Sequence, residues 1–194
     1  MPTPDQLTTD QTVAVLIAPG LEEVEALAVV DVLYRAGVRV DMLSTTGSLE
    51  VTGSHKITFR CDALAADNDL SGYTLVMLPG GIPGTPNLQA NEQVTTEAAR
   101  RVQAGEPLAA ICAAPSILAG LGLLRGRQAT ANPAFMQALE DGGAVLRTEP
   151  VVVDGAVLTS RGMGTAIDLG LEIVRLLLGE QAVEAVSQGI VHQG

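Results

Sequence analysis

Hydrophobic positions along the chain fall into short continuous runs, separated by stretches of helical periodicity. Residues 12–18, Thr-Val-Ala-Val-Leu-Ile-Ala, are apolar at nearly every position and stop at Pro19-Gly20. A strand apolar on both faces belongs in the middle of a parallel sheet. Residues 21–36 follow as a helix, with Gly37 just past the end, and residues 38–43 form a second strand. Together they make a βαβ unit. Residues 50–62 alternate polar and apolar around Gly53-Ser54, which predicts a small antiparallel hairpin. Residues 73–78 are another buried strand, closed by Pro79-Gly80-Gly81. A loop with Gly84 and Pro86 leads to a helix over 92–103. A buried strand at 107–111 then runs directly into a helix over 113–120.

Further strands are predicted at 128–131, 145–147, 151–153 and 157–159, with a short helix at 135–139. Asp154-Gly155 is a strong hairpin-turn signal. The last long helix covers 165–178 and stops at Gly179, and residues 180–186 add another turn or two. Strands alternating with helices predict a single doubly wound α/β sandwich, in which ligands bind outside the carboxyl ends of the strands. Three segments fall there: residues 19–25, residues 79–81 and residues 112–115.

Composition narrows this picture. At 194 residues the chain has the length of one domain, 1–194, with residues 1–11 expected to be flexible. Aromatic residues are only 2% of the chain, so the core must be Ala, Val, Leu and Ile. The formal net charge of −11, with Lys56 the sole lysine, argues against nucleic-acid binding. Two cysteines make no disulfide framework, and the polar residues 1–11 do not read as a signal peptide. No apolar stretch reaches membrane-spanning length. A soluble cytoplasmic protein without membrane or nucleic-acid partners is expected.

The chemistry centres on Cys112. A buried strand ends there, small residues flank the sulfur, and Pro115 suits the first turn of a helix. This is the pattern of a nucleophile elbow with sulfur in place of hydroxyl. The free N–H groups of the helix start are expected to lower the thiol pKa and populate thiolate. The plainer alternative is a small buried hydrophobe, which is the reading preferred for Cys61. Backbone donors at Gly80-Gly81 and Ala113 could form an oxyanion hole, although a Gly-Gly after a strand is also an ordinary tight turn. Arg161, in the strand-to-helix turn at 159–165, is expected to make structural hydrogen bonds, with an anion role open.

Residues 21–36 are apolar in nearly every direction and carry Glu22, Glu23 and Glu25 in the first turn. A helix of this kind wants burial on more than one side, which suggests a homodimer face. A glutamate beside the thiol would have its pKa raised and serve as a general acid. The alternative is three carboxylates stabilised by the helix dipole.

Taken together, Glu22-Glu-Val-Glu25 with Asp31, Arg35-Ala-Gly37, Leu78-Pro-Gly-Gly81, Ala110-Ile-Cys-Ala-Ala-Pro115 and Leu158-Thr-Ser-Arg-Gly162 with Gly164-Thr165 resemble the ThiJ/PfpI superfamily. The resemblance is to the branch of the Parkinsonism-associated deglycase and its bacterial relatives. It implies a flavodoxin-like sandwich, a homodimer, a reactive cysteine at Cys112, a protonated glutamate at Glu25, and backbone donors at Gly81 and Ala113. It also implies a cofactor-free glyoxalase or deglycase acting on α-oxoaldehydes such as methylglyoxal and on glycated adducts, with no metal. The rival it implies is a sensor or chaperone-like protein whose cysteine oxidises to sulfinic acid. Two departures matter. Ala113 follows the cysteine where the protease branch has His, which argues against a peptidase. Asn132 stands where the deglycase branch has His, and the only histidines are His55 and His192.

Overall fold

The computed structural model describes residues 7–193. Among these residues eleven strands are formed: β1 Thr12–Ile17, β2 Arg39–Ser44, β3 Glu50–Thr52, β4 Thr58–Arg60, β5 Ala63–Leu64, β6 Leu75–Leu78, β7 Leu108–Ile111, β8 Gln128–Ala129, β9 Val145–Leu146, β10 Val151–Asp154 and β11 Val157–Ser160. The α-helices are α1 Glu23–Arg35, α2 Gly84–Gln89, α3 Glu92–Ala104, α4 Pro115–Gly120, α5 Met136–Asp141, α6 Ala166–Leu178 and α7 Glu180–Ile190.

Seven strands make the central sheet in the order β10-β11-β7-β6-β1-β2-β5. Every pairing in it is parallel except β10 with β11, which meet across the Asp154-Gly155 turn. The apolar run of β1 explains its central place. Val13, Val15 and Ile17 pack into one core with α1, α6 and α7, and Ala14 and Leu16 into a second with α3, α4 and α5. One strand with two apolar faces thus holds two helical layers apart, which is the expected flavodoxin-like α/β/α sandwich.

Several boundaries depart from the hydrophobic pattern. A short helix, α2, stands where a loop was expected around Gly84 and Pro86. Pro86 lies in its first turn, where a missing N–H costs nothing. The small strand β5 was not anticipated, and α7 runs to Ile190 rather than ending near 186. Strands β8 and β9 pair with each other in a two-stranded sheet outside the main one. The chain is anchored from Thr8, whose N–H and hydroxyl each bond at 3.0 Å, to Gly37 O and Ala36 O respectively. Flexibility was expected over 1–11, of which 1–6 lie outside the described residues. Helix α1 packs against α6 so closely that a methyl group on Gly170 would meet Val32 Cβ at 2.9 Å. Among the described residues no helix is long and apolar enough to cross a membrane.

Candidate active site

The carboxyl ends of β1, β6 and β7 bring three loops to one edge of the sheet, where the strand order turns back on itself at β1. Cys112 follows the fully buried β7 and adopts φ 63°, the left-handed region that a side chain enters at a cost. Bonds on both sides hold it there: its N–H donates to Ser160 O at 2.9 Å, and its carbonyl accepts from Asn132 N–H at 3.0 Å. Three residues on, Pro115 opens α4. The predicted elbow is therefore present, with Cys112 partly exposed.

Glu25 lies in the first turn of α1 with only 1% of its surface exposed. Its Oε2 accepts from Gly80 N–H at 3.0 Å, and the Cys112 thiol and the Met163 backbone N–H lie near enough to favour its charged form. The backbone N–H groups of Gly81 and Ala113 lie near enough to the sulfur to favour its charged form. Gly80 has no room for a side chain: an added methyl would stand 2.6 Å from both Cys112 Cβ and Glu25 Oε2. Its backbone can approach both groups only because it is glycine.

Burial pushes Glu25 up to about 7, against the hydrogen bonds from Cys112, Gly80 and Met163. The expectation of a lowered thiol pKa is overturned. Burial first, then the charge and hydrogen bonding of Glu25, push Cys112 up to about 12. The Gly81 and Ala113 donors pull the other way and are outweighed. A six-residue helix start does not compensate for desolvation beside a carboxylate. Burial thus makes both groups hold their protons more tightly, the thiol more than the carboxyl. It keeps the Cys112 sulfur as the thiol at neutral pH.

Asn132 is brought to the same place. Its Oδ1 accepts from Ala134 N–H at 3.1 Å, which leaves the Nδ2 amide facing the other way. A methyl carbon placed on Gly162 would lie 3.6 Å from Asn132 Nδ2, 3.8 Å from Glu25 Oε1 and 3.9 Å from Cys112 Sγ. Amide, carboxylate and sulfur thus converge on one small space. Arg161 serves the loop rather than the sulfur. Its guanidinium donates to Thr148 O at 2.7 Å, and its N–H to Thr165 Oγ1 at 3.2 Å. The Met163 donor was not anticipated, since a backbone N–H carries no sequence signal.

Two further groups are settled by their partners. Glu23, as buried as Glu25, accepts from His55 N–H at 2.9 Å and lies 3.1 Å from His55 Nδ1. Glu22, Glu23 and His55 bring ligand-type atoms within 4.8 Å of one another, but these bonds make them a clamp between α1 and the β3–β4 hairpin. Cys61 is buried in the core, and its thiol is pushed up to about 11 by burial and the charge of Asp62, the inert state expected of it.

Comparison with known proteins agrees with this geometry. Residues 11–176 match the DJ-1/PfpI family. The chain is 36% identical over 170 residues to DJ-1 homolog B of Arabidopsis thaliana, covering 87% of itself but only 38% of that longer protein. It is 34% identical over 178 residues to dj-1beta of Drosophila melanogaster, covering 91% of itself and 95% of the relative. The crystal structure of Drosophila DJ-1beta superposes with a TM-score of 0.90 at 32% identity, covering 96% of this chain and 100% of that one. An oxidised DJ-1 of Toxoplasma gondii gives 0.89 at 28% identity, covering 95% and 100%. With an elbow sulfur, a buried glutamate and the sheet order between them all accounted for, the chain belongs to the DJ-1/PfpI family.

Proposed function

We propose that the protein is a cofactor-independent glyoxalase or deglycase acting on methylglyoxal, glyoxal and their adducts. The observation that carries this reading is the buried Glu25 carboxyl, raised to about 7 by burial and converging with the Cys112 sulfur on one small space. Glu25 takes the thiol proton as sulfur attacks the aldehyde carbon, C1; the S–C1 bond forms and the carbonyl π bond opens. Gly81 and Ala113 N–H groups hold the resulting oxyanion, and Glu25 returns the proton to give a hemithioacetal. Glu25 then carries the C1 proton to C2, while the hydroxyl proton passes from O1 to O2. The product is a thioester of the hydroxy acid. Water cleaves it, releasing lactate from methylglyoxal or glycolate from glyoxal and restoring the thiol. Deglycation forms the same S–C1 bond at the hemiaminal carbon of an adduct, where the C1–N bond breaks and the amine leaves with the thiol proton; the resulting hemithioacetal then follows the same course.

The working unit is proposed to be a cytoplasmic homodimer. Support comes from α1, whose Val24 and Leu27 are 45% and 36% exposed on one face. Lactate formation from methylglyoxal, followed with wild type and Cys112→Ala, tests the reaction. Cysteine-dependent turnover is expected, and its absence removes the enzymatic reading.

A second reading is a redox sensor. Asn132 cannot accept a proton at neutral pH, and sensing needs no base. The Glu25 carboxylic acid within hydrogen-bond reach would stabilise a cysteine sulfinate, and the Toxoplasma relative has been solved in oxidised form. Selective gain of two oxygens on Cys112 after mild peroxide supports it; an inert thiol removes it.

A further inference from the structure

The reaction proposed above moves charge onto two oxygens, and the backbone donors of Gly81 and Ala113 serve only the one on C1. When the C1 proton leaves, negative charge passes through the new C1–C2 double bond to the oxygen on C2. That oxygen needs a donor placed before the charge arrives.

We propose that the Asn132 side-chain amide is that donor: Nδ2–H binds the C2 oxygen of a dicarbonyl substrate and stabilises the enediolate. The inference rests on the glyoxalase reading and assigns Asn132 a positive role in it. Three observations carry it. Nδ2 opens onto the space it shares with Glu25 Oε1 and Cys112 Sγ, where C1 and C2 must lie for the proton to be carried between them. Among the described residues no acceptor takes an Nδ2 hydrogen, so the amide is available to a ligand. The group is also held rigidly: Oδ1 is fixed by Ala134 N–H, the backbone N–H by Cys112 O at 3.0 Å, and the carbonyl by Phe135 N–H at 2.8 Å. Such an amide donates without rearranging. An imidazole there could exchange protons with the substrate; Asn132 leaves every proton transfer at C1 and C2 to Glu25.

Asn132→Ser and Asn132→Asp test this, because each keeps an oxygen to cap Ala134 N–H and deletes the amide donor. Loss of one donor to a developing oxyanion is expected to lower kcat/KM for methylglyoxal by roughly 100-fold, with Asp at least as impaired as Ser. Propanal has a single oxygen, held by Gly81 and Ala113. Its protection of Cys112 against iodoacetamide, read by mass spectrometry, should match wild type in both variants. Variants within threefold of wild type on methylglyoxal overturn the assignment of Asn132 alone. Propanal protection falling in step with turnover also overturns it, since Asn132 would then merely hold the elbow. No cysteine-dependent lactate from wild type overturns the glyoxalase reading and this inference with it.

Discussion

Burial raises the hold of both Glu25 and Cys112 on their protons, and for Glu25 the consequence is written in stability as well as in reactivity. The carboxyl stands near 7 in the folded protein against an ordinary 4.5, so folding favours its neutral form. Its contribution is fully present below about 4.5 and is lost as pH rises through about 7. Glu25→Gln cannot ionise. The stability of this variant relative to wild type is therefore expected to climb between those limits, by on the order of 3 kcal/mol. Thermal unfolding at a series of pH values checks this; parallel curves would mean that the carboxyl is solvated. The position of Cys112 was legible from its small neighbours and Pro115, but the sign of its pKa shift was not. The dipole of the helix start can be read locally, whereas burial and the charge of a residue 87 positions away in the chain cannot. For the same reason the pattern could not choose between Glu23 and Glu25. Both are buried, and only their partners, His55 for one and Gly80 with Cys112 for the other, separate clamp from chemistry.

The strand–elbow–helix element stores its strain at one residue. A non-glycine residue in the left-handed region costs roughly 1–2 kcal/mol, and Cys112 sits there at φ 63°. In most settings Gly is less stable than Ala, because it frees the unfolded chain. Here the order should reverse, with Cys112→Gly more stable than Cys112→Ala by about 1 kcal/mol in urea unfolding. The ordinary order would show that the turn relaxes once the sulfur is gone. Elements with their own hydrophobic signature, β1, β6, β7 and α6, could be read from the chain. The short ones could not. Strand β5 is two residues formed by pairing with β2, and α2 is one turn and a half whose proline reads equally well as a loop. Helix α7 continues past Val186 through alternating small and polar residues, and His192 ties the chain end back to Asp168 at 3.0 Å.

At the scale of the whole molecule, the sandwich was legible from alternation, but the strand order was not, because it depends on which side of β1 each later strand takes. Nor does any local pattern mark Arg101, which is fully buried with Glu97 and donates to the carbonyls of Leu70, Tyr73, Thr74 and Pro107. The homodimer proposed above rests on the exposed Val24 and Leu27 of α1, and the charge of the chain sets its terms. Two copies of net charge −11 repel each other, while Val24 and Leu27 offer an uncharged contact. Salt screens the repulsion over a Debye length that shrinks from about 30 Å at 0.01 M to about 8 Å at 0.15 M, and leaves apolar burial in place. A homodimer built on this face should therefore tighten as salt is added, its dissociation constant falling several-fold across that range in sedimentation equilibrium. Leu27→Glu should give the 20.0 kDa monomer at both ionic strengths. Dissociation promoted by salt would mean that ion pairs hold the two copies together, and a wild-type monomer under all conditions would remove the homodimer altogether.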